Sequence, residues 1–119
     1  MKKIAFLMML LAGIFAGSTA PRLAAQAGPR KVVVVAKRFA YEPTEITLKK
    51  GEPVVLVLQS RDVAHGLRFR ELNLNIKVKA GSTTEVPFTP MQTGDFTGHC
   101  SVFCGAGHGS MTLTMHVVE

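Results

Sequence analysis

Met111-Thr112-Leu113-Thr114-Met115-His116-Val117-Val118 alternates apolar and polar side chains along almost its whole length. That is the period-two pattern of a β-strand with one buried face. Met111, Leu113, Met115 and Val117 share the buried side, and Thr112, Thr114 and His116 share the other. His116 therefore reads as a surface histidine, turned away from whatever Met111 faces. Upstream, Lys31 to Ala36 is a valine run and Glu45 to Leu48 alternates. Pro53 to Leu58 is almost continuously apolar, as suits a strand buried in a sandwich core. Leu72 to Val78 alternates again, with Leu72, Leu74, Ile76 and Val78 on one side. Turn signals punctuate these runs at Pro43, Gly51-Glu52-Pro53, Gly66, Gly81, Pro87, Pro90, Gly94 and Gly98, and a glycine-rich stretch follows from Gly105 to Gly109. Past the amino-terminal segment, no window of about ten residues has helical apolar spacing, so helices are expected to be absent or single turns. The fold class predicted is all-β, a Greek-key β-sandwich.

The chain has 119 residues, and the first of them read as an address: Lys2 and Lys3, the apolar run Ile4 to Ala16, then small and polar residues. This is the pattern of a secretory signal peptide. Pro21 obstructs cleavage after Ser18-Thr19-Ala20, so the expected cut follows Ala25-Gln26-Ala27, leaving residues 1–27 as signal peptide and 28–119 as one domain. An uncleaved segment anchoring the protein to a membrane is the alternative. The apolar run falls short of the roughly 20 residues a spanning helix needs, and no second run follows, so no transmembrane segment is expected after cleavage. No Arg-Arg pair precedes the run, which favours export of an unfolded chain and metal loading outside the cytoplasm. The expected location is periplasmic or secreted.

Lys and Arg number 14 against 8 Asp and Glu; without Lys2, Lys3 and Arg22, 11 basic residues remain, a mild excess. There is no basic run and there are few aromatic residues to stack on bases, so nucleic acid is not an expected partner. The glycine-rich stretch lacks the lysine of a phosphate-binding loop, and no βαβ pattern surrounds it. Nothing points to an enzyme.

The chemistry is concentrated in His99-Cys100-Ser101-Val102-Phe103-Cys104-Gly105-Ala106-Gly107-His108-Gly109-Ser110-Met111, which contains C-x3-C-x3-H-x2-M. Two thiols, an imidazole and a thioether make a soft ligand set that selects copper. Zinc would call for strong ligands without methionine, and iron–sulfur clusters generally need more cysteines than this chain has. Gly105, Gly107 and Gly109 are expected to let the loop turn tightly through positive φ. A second nitrogen donor must come from elsewhere, and His65, in Asp62-Val63-Ala64-His65-Gly66, is the candidate, placed where the strand Pro53 to Leu58 ends. His99, next to Cys100, should point to the opposite side as a surface or supporting imidazole.

With these residues in view, the chain resembles a cupredoxin, and its loop resembles the binuclear copper A site of cytochrome c oxidase subunit II and nitrous oxide reductase. The likeness covers most of residues 33–119, including Phe39 through Pro43, Ile46 and Gly51, Asp62-Val63-Ala64-His65, and Gly94-Asp95-Phe96 leading into the loop. The resemblance implies a cupredoxin-like sandwich holding two copper ions for electron transport. Cys100 and Cys104 would be bridging thiolates, His65 and His108 the nitrogen donors, Met111 the thioether ligand, and the backbone carbonyl of Val102 the remaining ligand. It also implies a redox donor and a redox acceptor as partners. Val102 stands where oxidase-type members usually carry glutamate, tryptophan is absent, and the two membrane helices of an oxidase subunit have no counterpart in this sequence.

Three other readings stay open. Cys100 and Cys104 could form a disulfide, certainly conceivable in the metal-free protein; copper loading then needs a thiol reductant and a copper donor as partners. His65, Cys104, His108 and Met111 could hold a single blue copper. The chain could also deliver or store copper without redox work. Arg61, Asp62, Arg68 and Arg70, around His65, are an ordinary solvated rim or a docking surface for a partner that is acidic or neutral at its contact face.

Overall fold

The computed structural model describes Gly17 and residues 28–119. The signal peptide read into residues 1–27 therefore lies, Gly17 apart, outside the described residues. Nine strands follow in order: β1 Arg30–Lys37, β2 Ala40–Glu42, β3 Glu45–Lys49, β4 Val54–Ser60, β5 His65–Phe69, β6 Leu74–Val78, β7 Thr83–Phe88, β8 Gly94–His99 and β9 Thr112–Val118. They form two sheets, one ordered β2-β1-β4-β7 and the other β3-β9-β8-β5-β6. The only helical turns among the described residues are 3-10 turns at Arg70–Leu72 and His108–Ser110. The all-β sandwich expected from the sequence is the observed fold.

Each sheet turns one apolar row inward. Val32, Val34 and Ala36 of β1 pack with Leu56 and Leu58 of β4 on one side; Leu67, Phe69, Ile76, Phe96, Leu113, Met115 and Val117 face them from the other. The alternation read in the last strand holds: Met111, Leu113, Met115 and Val117 are buried. His116, on the outer face, bonds Asp95 through Nδ1 at 2.6 Å and Glu45 through Nε2 at 3.2 Å.

Several residues read as turn signals lie inside strands instead. Gly66 is in β5, Pro87 in β7, and Gly94 and Gly98 in β8. Pro87 is tolerated because β7 is an edge strand, where a missing N–H leaves no ladder bond unmade. Gly98 is a point of close approach: a Cβ there would stand 2.7 Å from Leu67 Cδ1 and from Phe69 Cζ. The strand read from Leu72 also starts later, at Leu74. Asn73 has φ 51°, a left-handed conformation that ends the 3-10 turn and breaks the extended run, so Leu72 is not part of the strand row.

β8 is antiparallel to both of its neighbours, β5 and β9. The end of β8 and the beginnings of β5 and β9 therefore meet at one end of the same sheet.

Candidate metal centre

His65 is the first residue of β5, Cys100 follows directly on β8, and Met111 directly precedes β9. Sequence reasoning put His65 at the end of the preceding strand; it opens the next one, because β4 continues to Ser60 and a short turn through Asp62 intervenes. The backbone N–H of Cys100 donates to the carbonyl of Met111 at 3.3 Å, closing the mouth of the loop between β8 and β9.

The side chains meet in a buried cluster. Cys100 Sγ lies 3.6 Å from Cys104 Sγ, 4.0 Å from His65 Nδ1 and 3.1 Å from the carbonyl oxygen of Val102. Cys104 Sγ lies 3.6 Å from His108 Nδ1 and 3.8 Å from Met111 Sδ. All six residues singled out from the sequence, His65, Cys100, Val102, Cys104, His108 and Met111, are thus brought together. His65 and Met111 are wholly buried and both cysteines nearly so, whereas His108 is partly exposed. The ligand atoms of His65, Cys100 and Cys104 all lie within 4.8 Å of one another. The two sulfurs are free thiols, their 3.6 Å separation far beyond the roughly 2.05 Å of a disulfide.

Burial pushes the Cys104 thiol up to about 11, and the neighbouring Cys100 adds to the rise. Burial likewise raises the hydroxyl of Tyr41, which donates to the carbonyl of Gly66 beside His65. A buried nest of thiols, imidazole and thioether with few polar partners except one another is a poor packing solution on its own terms. It is a fitting set for a soft metal, which would replace those mutual contacts with bonds to every donor.

Two supports were not legible in the sequence. Asp62, read there as part of a solvated rim or docking surface, turns toward the cluster and places Oδ1 2.6 Å from His65 Nε2. It also accepts the backbone N–H of Arg38 at 2.8 Å and that of Val63 at 2.6 Å. Burial opposes its ionisation, but the hydrogen bonds from Arg38, His65 and Val63 prevail and hold its carboxyl at about 2. With Nε2–H committed to Asp62, His65 presents the lone pair of Nδ1 to the sulfurs. The second support is the turn after β1. Arg38 Nε donates to the carbonyl of Cys104 at 3.1 Å, and the ring of Phe39 lies against Gly105 and Gly107. The one signal for Asp62 in the sequence is its place three residues before His65.

Of the loop glycines expected to adopt positive φ, only Gly105 does so, at 133°. Gly107 has φ −89° and is needed for space, since a Cβ there would sit 2.4 Å from Phe39 Cγ. His99, as expected, points out to solvent.

A match to the cupredoxin-like domain spans residues 4–113. The chain belongs to the cupredoxin-like family. Within it, this cupredoxin is 34% identical over 96 residues to cytochrome c oxidase subunit 2 of Thermus thermophilus, covering 79% of the chain and 71% of that relative. It is 34% identical over 94 residues to the nitrous-oxide reductase of Cupriavidus necator, covering 74% of the chain and 15% of the reductase. Among solved structures, the periplasmic domain of cytochrome oxidase subunit II of Bradyrhizobium japonicum shares its fold with TM-score 0.68 and 20% identity, over 76% of this chain and 84% of that one. The cupredoxin is therefore a homologue of the oxidase subunit II periplasmic domains, as the loop and the histidine turn implied.

Proposed function

We propose that this cupredoxin is a periplasmic electron-transfer protein of the copper A type. His65 Nδ1, Cys100 Sγ, Cys104 Sγ, His108 Nδ1, Met111 Sδ and the Val102 carbonyl would hold two copper ions. The observation that carries this reading is the pairing of donors. Each thiol has a histidine of its own, His65 beside Cys100 and His108 beside Cys104, with the sulfurs 3.6 Å apart between them. His108 adds a further nitrogen donor outside the tight group formed by His65 and the two cysteines.

Copper held by these residues would supply one-electron redox chemistry. The chain's own part is rigidity and dryness. Adjacent strand ends fix His65, Cys100 and Met111, while Asp62 and Arg38 hold the two loops at fixed orientation. Burial of His65, Met111 and both cysteines keeps water from the donors, and partly exposed His108 is the route by which an electron reaches the surface.

Donor and acceptor are other redox proteins. The chain itself binds no substrate and is a carrier or a subunit-like partner of a terminal oxidase or reductase. Its two close, free thiols are also liable to oxidation in an oxidising compartment, so assembly calls for a thiol reductant and a copper donor. Among the described residues no helix is long and apolar enough to cross a membrane. Copper analysis and electron paramagnetic resonance of the loaded protein test the proposal. The expected result is two coppers per chain with hyperfine splitting from two equivalent copper nuclei. One copper with a single intense blue band overturns it in favour of a mononuclear site, and rapid surrender of copper to an acceptor overturns it in favour of delivery.

A further inference from the structure

Beside the metal-centre residues the surface opens into a depression of about 600 Å³ whose lining includes Arg68, Arg70, His99, Ser101 and His108. Cys100 lies at its floor. The register of the sheet explains the assembly. Arg68 of β5 stands directly opposite His99 of β8, so both side chains leave the outer face of the sheet side by side. Arg70 follows two residues later at the start of the 3-10 turn.

The charge here is uncompensated among the described residues, as it is at Lys49, Lys50, Lys77 and Lys79, in contrast to four other basic residues. Arg30, Lys31, Lys37 and Arg61 each have a glutamate within 4.0 Å. Among the described residues, Arg68 and Arg70 have none, and the single acidic residue lining the depression, Glu71, pairs with neither. Arg61, which the sequence grouped with them, turns instead to Glu42, and Asp62 turns inward to His65. The sequence's loose rim thus resolves into one cationic face. On the far side of His108 from this face stands Phe103, 79% exposed, its ring centroid 5.6 Å from the imidazole. An exposed aromatic ring and unpaired arginines that both flank His108 have the composition of a protein interface: the ring anchors and the charges steer.

We propose that Arg68, Arg70 and His99, with Phe103 across His108, form the docking surface for an acidic redox protein, whose carboxylates occupy the depression next to the exposed edge of the metal centre. The inference rests on the copper reading for its purpose and on charge and shape for its existence. A small anion alone would leave Phe103 without a role.

The test uses the whole mature chain, first without metal, titrated with a short polyglutamate peptide and followed by amide chemical shifts. Saturable shifts should centre on Arg68, Arg70, Ser101 and Gly109, and the affinity should fall about tenfold between about 20 mM and about 200 mM salt. R68E/R70E should abolish the shifts. K49E/K50E makes the same change of charge at the other end of the sheet, where Lys49 pairs with Val118, and should leave them in place. Equal loss in the two double variants, or shifts spread over the lysines, shows generic attraction and overturns the proposal. Tighter binding to phosphatidylglycerol vesicles than to the peptide, lost in R68E/R70E, overturns it in favour of a lipid surface. With the copper-loaded protein, F103A should slow oxidation by an acidic c-type cytochrome while oxidation by ferricyanide is unchanged; equal rates with the cytochrome overturn the part assigned to Phe103. Copper stoichiometry separates the two ideas: two coppers retained without peptide binding defeats only the docking surface, and peptide binding without two coppers defeats only the electron-transfer reading.

Discussion

Asp62 Oδ1 lies 2.6 Å from His65 Nε2, so the histidine's other nitrogen, Nδ1, is the one turned toward Cys100. The same carboxylate takes the backbone N–H groups of Arg38 and Val63. It therefore fixes the imidazole's tautomer and ties the turn after β1 to the turn before β5. Replacing it should release the ring without unfolding the sandwich. Asp62→Asn is expected to weaken copper binding by about ten- to a hundredfold, the usual cost of losing a hydrogen-bond partner behind a ligating histidine. Competition against a copper chelator measures this, and an unchanged affinity would show the contact to be ornamental.

The contact between Phe39 and Gly107 is tight enough to test by a double-mutant cycle. A Cβ on residue 107 would stand 2.4 Å from Phe39 Cγ. Gly107→Ala should cost about 1–3 kcal/mol in urea denaturation, as overpacking does. In the background of Phe39→Ala most of that cost should vanish, giving a coupling well above the few tenths expected of independent sites. Additive effects would mean that the loop avoids the ring by moving as a whole.

Met111 and Met115 are both wholly buried on one face of the last strand, yet only Met111 meets a thiol, at 3.8 Å from Cys104 Sγ. Met115→Ala should cost about 2–5 kcal/mol by opening a cavity and leave the copper spectrum unchanged. Met111→Leu keeps the volume, should cost less than about 1.5 kcal/mol, and should alter the spectrum. The reverse pattern would move the thioether role to Met115.

The outer face carries a pH dependence of its own. Hydrogen bonds donated to Asp95 first, then to Glu45, raise the His116 imidazole above its ordinary value. A group with a raised folded-state value stabilises the fold fully below its ordinary value, and that contribution is lost as pH climbs through the raised one. The difference in Tm between the metal-free protein and its H116Q variant should therefore be largest near about pH 5 and shrink toward about pH 9. A difference that grew with pH would contradict the ion-pair assignment.

The class of fold and the kind of chemistry follow from the order of residues alone. Valine-rich and alternating runs cannot be buried as helices, and their register put Met111 inward and His116 outward before any sheet was seen, because side chains alternate along a strand whatever its neighbours are. Cys100, Cys104, His108 and Met111 share one loop, so their spacing is local information, and soft donors at that spacing already point to copper. Tertiary structure alone decided the rest. β2, β5, β7 and β8 escape a reading of the sequence: β2 is very short, β7 holds Pro87, β5 holds Gly66, and β8 holds Gly94 and Gly98. Such strands are made by their partners, Gly98 lying where Leu67 and Phe69 leave no room for a side chain. The roles of Asp62, Arg38 and Phe39, the pairing of Arg68 with His99, and the meeting of His65 with Cys100 all depend on contacts between segments remote in sequence or on the direction a turn takes. Periodicity says which side of its own strand a residue occupies. Only the antiparallel placement of β8 between β5 and β9 brings three strand ends, and the ligands they carry, to one place.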